Sequence, residues 1–233
     1  MKLKGLLVQL KKENKSLADQ QNIWKEFIKR IDDSNGSICT LPSFLLRCLI
    51  SYIPDKQQGW EDLLTLVARV NEFPQENPSF IFNTNFQFVP DKQKAWDGLY
   101  KLTDNKKASV RLIASYSLGD LFSLVPNKNK AWNHLHNLAN SEDIYARTGA
   151  ARSIGKAFKH ISDKQEAWSD LHKLTVDQNA FTRANAVNSL GSAFPYTPDK
   201  QEVWKDLHIL ANDKDEFVRD AVADSIKTIF QYN

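Results

Sequence analysis

Cysteine, glycine and proline are all scarce in this sequence, and long apolar runs are missing. The 233 residues include eight glycines, eight prolines and two cysteines, Cys39 and Cys48. Such a composition excludes collagen-like and low-complexity structures. The cysteines form no Cys-x-x-Cys pair, so we expect neither a disulfide framework nor a zinc site, and a reducing, cytoplasmic location. No apolar run approaches the ~20 residues that span a bilayer, which argues against a membrane protein.

Signatures of catalysis are also missing. The sequence contains no Gly-rich phosphate loop and no Gly-x-Ser-x-Gly elbow. His136, His172 and His208 each follow a tryptophan by four residues. Adjacent helices lie ~8–10 Å apart, whereas zinc needs each nitrogen within ~2.1 Å of one point. We therefore expect half-exposed rings packed beside the indoles, and we predict no catalytic residue, no metal and no cofactor.

Charge is nearly balanced outside the first 50 residues. The net charge is +3, and the first 50 residues hold nine Lys/Arg against five Asp/Glu. Leu3, Leu6, Leu7 and Leu10 in this segment follow the i, i+3, i+4, i+7 spacing of an amphipathic helix. We predict an N-terminal capping helix within residues 1–16, with a membrane-surface helix as the alternative.

Tryptophan recurs with a fixed period, and this is the strongest signal in the chain. The six tryptophans lie 36 residues apart: Trp24, Trp60, Trp96, Trp132, Trp168 and Trp204. Most of them follow a Pro-Asp-Lys-Gln-like segment, which is typical of a helix start. We predict repeats that begin near residues 19, 55, 91, 127, 163 and 199. Each repeat opens with a helix A and continues, after a polar break, with a helix B; in the last copy these are Asp199–Ala211 and Glu216–Phe230.

Helix B carries its own columns with the same period. Its apolar, small and serine columns include Leu118, Ile154 and Leu190, then Ala114, Ala150 and Ala186, then Ser117, Ser153 and Ser189. Gly119, Gly155 and Gly191 form another column, which we expect to let helices pack closely. A single hairpin cannot bury its apolar face, so neighbouring copies must stack. The sequence therefore predicts an all-α fold, a solenoid of about six 36-residue helical hairpins in one domain over residues 1–233.

An arginine near the start of helix B in the last four repeats carries a family resemblance. The arginines are Arg111, Arg147, Arg183 and Arg219, and six residues before them stand Asn105, Ser141, Asp177 and Asp213. In this the chain resembles the HEAT-repeat family in its short form, the PBS-lyase HEAT-like repeats. The resemblance implies a right-handed αα superhelix with an Asp–Arg hydrogen-bonded ladder between repeats, weaker at Asn105 and Ser141. Tetratricopeptide repeats are the nearest alternative, but their period is 34 residues.

The two ends of the array depart from the pattern. Cys39 and Gln75 replace the arginine in the first two repeats, and Pro42 and Pro78 stand in the small-residue column. Proline is tolerated at a helix start, so we expect these B helices to begin late, at the prolines, with an altered curvature or a groove there. The last repeat is rich in acidic residues, and we interpret it as a polar C-terminal cap. These residues are Asp213, Asp215, Glu216, Asp220 and Asp224.

A variable stripe on helix B is the predicted partner-binding site. It runs at i, i+4, i+8 through the B helices, on the surface that is concave in HEAT proteins. Its members are Leu112, Tyr116, Asp120, Thr148, Arg152, Lys156, Ala184, Asn188, Ser192, Asp220, Asp224 and Thr228. The stripe changes from aromatic through basic to acidic, which suits a protein or peptide better than a phosphate backbone. Tyr116 and Arg152 are the strongest candidates, because Tyr and Arg are enriched in interface hot spots.

The predicted function is accordingly a non-catalytic, monomeric scaffold that binds a protein or peptide. Nucleic-acid binding is the alternative, because one lysine per repeat forms a row: Lys56, Lys92, Lys128, Lys164 and Lys200. Phosphate binding needs many uncompensated cations. Each lysine of the row follows an Asp or Asn, so we favour a solvated face for it.

Overall fold

The computed structural model describes residues 3–11, 16–33, 49–69 and 79–231. These residues form α-helices and short 3₁₀ turns, without a β-strand in the ranges described. The chain divides into two compact units, Met1–Val110 and Arg111–Asn233. The all-α fold predicted from the sequence is thus confirmed. The late starts expected at Pro42 and Pro78 lie outside the described residues, as do Cys39, Cys48 and Gln75.

The first unit contains five helices among its described residues. They are α1 (Leu3–Leu10), α2 (Leu17–Asp33), α3 (Lys56–Arg69), α4 (Phe80–Phe86) and α5 (Lys92–Lys101), with 3₁₀ turns at Leu49–Tyr52 and Leu102–Asp104. The helix α1 follows the predicted leucine spacing and packs against α2, with Leu6 and Leu10 buried. The core of the unit centres on Trp60, whose ring lies 5.6 Å from that of Phe82 and 5.4 Å from that of Phe86.

The second unit is a regular series of hairpins. Its helices are α6 (Ala108–Leu121), whose first turn precedes the unit boundary, then α7 (Lys128–Ala139), α8 (Ile144–Ala157), α9 (Lys164–Thr175), α10 (Ala180–Ala193), α11 (Lys200–Leu210) and α12 (Glu216–Phe230). The A helices are α7, α9 and α11, and the B helices are α6, α8, α10 and α12. A short 3₁₀ turn follows each of α6, α8 and α10, at Phe122–Leu124, Phe158–His160 and Phe194–Tyr196.

Aspartate or asparagine begins each A helix of this unit. The side chains of Asn127, Asp163 and Asp199 accept hydrogen bonds from backbone N–H groups two or three residues ahead. These bonds satisfy donors that have no partner inside a helix, and the carboxylates also favour the positive end of the helix dipole. The Pro-Asp-Lys-Gln-like segments therefore act as helix N-caps, which is the role that their composition indicates.

The B helices pack closely because glycine on one faces serine on the next. A Cβ atom built on Gly155 would lie 2.8 Å from Cα of Ser189, and one on Gly191 would lie 3.0 Å from Cα of Ser225. The serine hydroxyls donate to backbone oxygens of the facing helix, Ser189 to Ala151 at 2.7 Å and Ser225 to Val187 at 2.7 Å. The glycine column thus serves the helix packing expected for it.

The last hairpin differs from the uniformly polar cap that the sequence predicts. Asp213 is paired with Arg183 and its side chain is only 9% exposed. Large apolar side chains are exposed in the same hairpin: Trp204 by 38%, Ile209 by 59%, Phe217 by 53% and Phe230 by 65%. The acidic composition did not predict these exposed apolar side chains, because the packing between hairpins determines which side chains stay exposed.

Candidate functional site

An arginine–aspartate ladder fixes the starts of the B helices. The Nε atom of Arg147 lies 2.6 Å from Oδ2 of Asp177, and Arg183 reaches both carboxylate oxygens of Asp213 at 2.8 and 2.7 Å. Each guanidinium also donates through Nη1 to the backbone oxygen six residues earlier, that of Ser141 or Asp177. The hydrogen bond from Arg183 holds the pKa of Asp213 below its ordinary value.

The ladder continues at Arg111 through a residue that the sequence pattern missed. The Nη2 atom of Arg111 lies 2.8 Å from Oδ2 of Asp143, the N-cap of α8. Burial favours a higher pKa for Asp143, but Arg111 and the backbone N–H groups of Ala146 and Tyr145 outweigh it and lower that pKa. An acid two residues beyond Ser141 therefore supplies the charge that Ser141 lacks.

An aromatic groove lies between the B helices α6, α8 and α10, beside this ladder. Its volume is about 350 Å³, and it is lined by Leu112, Tyr116, Ile144, Tyr145, Thr148, Asn179 and Phe181. Tyr145 and Phe181 are 39% and 60% exposed, and the ring of Phe181 lies 5.3 Å from that of Phe217. Tyr145, Phe181 and Phe217 are 36 residues apart. The same period that revealed the tryptophans could have shown this column, which the sequence analysis missed.

Tyr116 closes one side of the groove and is held there by two neighbours. The guanidinium of Arg152 lies 4.9 Å from the centre of the Tyr116 ring, and Nδ2 of Asn185 donates to the phenol oxygen at 3.4 Å. Burial raises the pKa of Tyr116, against the opposing effects of Asn185 and Arg152. The phenol is therefore neutral at physiological pH, and its ring presents a fixed apolar wall.

A smaller basic pocket adjoins the aromatic groove, on the other side of the contact between Tyr116 and Arg152. Its volume is about 150 Å³, and it is lined by Arg152, Lys156, Asn185, Asn188, Ser189 and Ser192. All six side chains carry hydrogen-bond donors, and none of them is acidic. Tyr116, Arg152 and Asn185 separate the two cavities, so a single extended ligand can reach both.

The predicted stripe is only partly exposed. Thr148 and Ala184 are 5% and 1% exposed, and the Thr148 hydroxyl lies 2.7 Å from that of Thr182. The expectation of free side chains is therefore wrong at these two positions, because α8 and α10 pack together there. The other predicted residues keep accessible surface: Leu112, Tyr116, Asp120, Arg152, Ser192 and Thr228 are half-buried, and Lys156, Asn188, Asp220 and Asp224 are exposed.

Three lysines of the row do not form a solvated face, contrary to the sequence interpretation. The Nζ atom of Lys164 donates to the backbone oxygens of Phe158 and Lys159 at 2.8 and 3.3 Å and also to Ile161, while lying 5.7 Å from the Phe158 ring centre. Lys92 and Lys128 make similar bonds, and burial lowers the pKa of all three ammonium groups. These three lysines therefore cap the turns that precede their own helices.

His136 and His172 pack beside tryptophan, as predicted, and each also contacts an aspartate. The ring of His136 lies 5.9 Å from that of Trp132, and its Nδ1 atom is 2.8 Å from Oδ2 of Asp170. His172 makes the same pair of contacts in the next hairpin, with its ring 6.0 Å from that of Trp168 and its Nδ1 atom 2.7 Å from Asp206. Burial raises the pKa of Asp170, although His136 opposes this effect.

The described residues contain no group of three His, Cys, Asp or Glu side chains that could hold a metal ion. Within the same ranges, we found no helix that is both long and apolar enough to span a membrane.

Comparison with known proteins agrees with this architecture. The HEAT-repeat family model matches residues 132–227, which confirms the predicted resemblance over this part of the chain. The comparison with curated proteins gives no match.

Solved structures of repeat proteins resemble nearly the whole chain. A designed armadillo repeat protein in complex with the peptide (KR)4 has a TM-score of 0.56 at 15% identity, over 98% of this chain and 100% of its own. A computationally designed armadillo repeat protein for modular peptide recognition has a TM-score of 0.53 at 16% identity, over 97% and 99%. An engineered protein scores 0.51 at 16% identity, over 99% of both chains. These likenesses establish a helical-repeat fold, whereas the handedness of the superhelix stays a prediction.

Proposed function

We propose that the chain is a non-catalytic scaffold that binds a protein or peptide segment along the B helices α6, α8 and α10, on the face that is concave in HEAT proteins. The observation that carries this proposal is the aromatic groove with its exposed Tyr145 and Phe181. An apolar groove rimmed by polar side chains is typical of an interaction site, and Tyr is enriched among the residues that dominate binding energy. The groove volume is at the lower end of the range for ligand pockets, which suits one apolar side chain of a partner.

Two further facts support a peptide as the partner. Tyr116 and Arg152, the strongest candidates from the sequence, form the wall between the groove and the basic pocket. One designed armadillo protein that this chain resembles is in complex with a peptide, and another is designed for peptide recognition; the shared fold supports the same use of this surface. We retain the single domain with repeats starting near 19, 55, 91, 127, 163 and 199, the monomeric state and the cytoplasmic location as parts of the proposal.

The nucleic-acid alternative has less support. Its main argument is the lysine row, and the ammonium groups of Lys92, Lys128 and Lys164 are already bonded to backbone oxygens. A cation that caps a helix end is a poor counterion for phosphate, because binding would break those bonds. Duplex binding at ~50 mM salt that weakens steeply as salt rises would favour this alternative.

The test is a selection of random 12-residue peptides displayed on phage, followed by affinity measurements on the enriched sequences. We expect enriched peptides with an aromatic or branched apolar residue, and a loss of affinity of about tenfold in Phe181→Ser, since burial of a large apolar side chain contributes ~1.5–3 kcal/mol. Ile209→Ser is the matched control, because Ile209 is 59% exposed and lies on the A helix α11. Equal binding by Phe181→Ser and wild type would contradict the proposed site.

A further inference from the structure

We infer that the bound peptide carries an Asp or Glu side chain about three residues from its apolar anchor, and that the basic pocket binds this carboxylate. The inference rests on the proposed function and adds a partner chemistry to it. It is carried by three observations on the pocket: an arginine with incomplete pairing, a lining without acids, and a fixed distance from the aromatic groove.

The ion pair of Arg152 is long and leaves donors of the guanidinium unused. Its Nη2 atom lies 3.7 Å from Oδ2 of Asp120, which is within ion-pair range but beyond hydrogen-bond distance, and the buried Nη1 atom has no hydrogen-bond partner among the described residues. The Tyr116 ring covers one face of the guanidinium, while the side chain as a whole keeps 27% exposure. A guanidinium that is held against a ring and has unused donors is suited to a carboxylate, which accepts charge-assisted hydrogen bonds.

The rest of the pocket adds positive charge and neutral donors. Lys156 and Asn188 are exposed in its lining, and Lys159 lies beside Lys156 in an adjoining cavity of about 220 Å³. Exposed acids of the stripe occur only further along the described B helices, at Asp220 and Asp224 of α12. A basic side chain of a peptide would therefore be repelled at this pocket, and an acidic side chain attracted.

The distance between the two cavities sets the spacing in the peptide. On α8, Tyr145 and Thr148 line the groove, and Arg152 and Lys156 line the pocket. The two pairs are separated by about seven residues of helix, which is ~10 Å at ~1.5 Å per residue. An extended peptide advances ~3.3 Å per residue, so about three residues separate the apolar anchor from the carboxylate.

The experiment uses three fluorescein-labelled peptide pools with the formats Phe-x-x-Asp, Phe-x-x-Asn and Phe-x-x-Lys, where x is a mixture of Gly, Ala, Ser and Thr. Fluorescence anisotropy measures their binding to the full chain. The salt concentration is ~50 mM, because charges are only weakly screened at low ionic strength. We expect the Asp pool to bind about tenfold more tightly than the Asn pool, because hydrogen bonds to charged groups are the stronger ones. The Lys pool should bind more weakly than both.

Variants show whether this preference comes from the pocket. Arg152→Gln and Lys156→Gln, the second at an exposed position, should each reduce the preference for Asp over Asn several-fold. Lys214→Gln removes the same charge from the exposed loop before α12 and should leave the preference unchanged. Thermal melts followed by circular dichroism check that Arg152→Gln still folds. If Arg152→Gln does not fold, the preference for Asp over Asn is judged from Lys156→Gln alone.

The outcomes separate the inference from the proposed function. Equal binding of the Asp and Asn pools, with a loss in Phe181→Ser, would overturn the carboxylate and leave the groove standing. Failure of all pools alongside success of the display-selected peptides would also overturn it. A phosphoserine pool that binds more tightly than the Asp pool would replace the carboxylate with a phosphate group. If no peptide binds by either route, the proposed function fails and the inference fails with it.

Discussion

The contact between Gly155 on α8 and Ser189 on α10 predicts a large effect of a single methyl group. In Gly155→Ala the new Cβ would lie 2.8 Å from Cα and 2.5 Å from Cβ of Ser189. Backbone cannot yield as a flexible side chain can, so we expect the upper end of the overpacking cost, about 3 kcal/mol. Loss of the 2.7 Å hydrogen bond from Ser189 to Ala151 adds about 1 kcal/mol. Replacing a helical glycine returns about 1 kcal/mol, which leaves a net loss of about 3 kcal/mol.

Urea unfolding followed by far-UV circular dichroism measures this difference in unfolding free energy. Gly98→Ala is the matched control, because its Cβ would approach only Cδ1 of Leu64, at 2.6 Å, and a side-chain terminus can rotate away. We expect the control to stay within about 1 kcal/mol of wild type, since helix propensity offsets the small rearrangement. If Gly155→Ala proves as stable as wild type, the B helices are not packed through glycine and serine, and the positions of the site residues change with them.

Two further predictions concern the supports of the candidate site. Asp213→Asn leaves the guanidinium of Arg183 buried with a weaker partner and should cost about 3 kcal/mol at neutral pH. Because Arg183 lowers the pKa of Asp213, the ion pair stabilises the fold above the ordinary Asp pKa, and this stabilisation is lost as pH falls through the lowered pKa. The difference in unfolding free energy between wild type and Asp213→Asn should therefore disappear in acid. A difference that does not depend on pH would refute the pairing. Lys164→Met should cost about 1–2 kcal/mol, since the backbone oxygens that Lys164 caps lose a charged donor. Lys214→Met is its control in the same urea assay, and equal losses in the two variants would show that the row does not cap the turns.

The 36-residue period predicted the fold because each hairpin must bury the same apolar columns against its neighbours. Trp60 and Trp96 are fully buried, as a residue kept in every repeat for stacking should be. The N-caps were equally readable, since Asp163 and Asp199 need only the following turn of the same helix to act. The helix bounds of the last hairpin followed the prediction closely, with α12 spanning Glu216–Phe230 as expected.

The features that the sequence did not predict depend on how neighbouring helices and turns pack against each other, and the repeat period does not specify this packing. Lys164 looks like a surface residue in the sequence, and its role appears only when the 3₁₀ turn before it directs carbonyl groups at its ammonium. Thr148 occupies a helical position that seems exposed, but close packing through glycine brings Thr182 against it. The column of Tyr145 and Phe181 was visible in the sequence, although its neighbours in the groove come from three separate helices.

Site-specific crosslinking tests the proposed peptide-binding face most directly. Phe181 is replaced by p-benzoylphenylalanine, and in a second protein Ile209 is replaced; the two positions are 60% and 59% exposed, on α10 and α11. After irradiation with a display-selected peptide, we expect a covalent adduct at position 181, which excess free peptide prevents, and little adduct at position 209. Equal yields at both positions, or an adduct at 209 alone, would contradict binding in the aromatic groove.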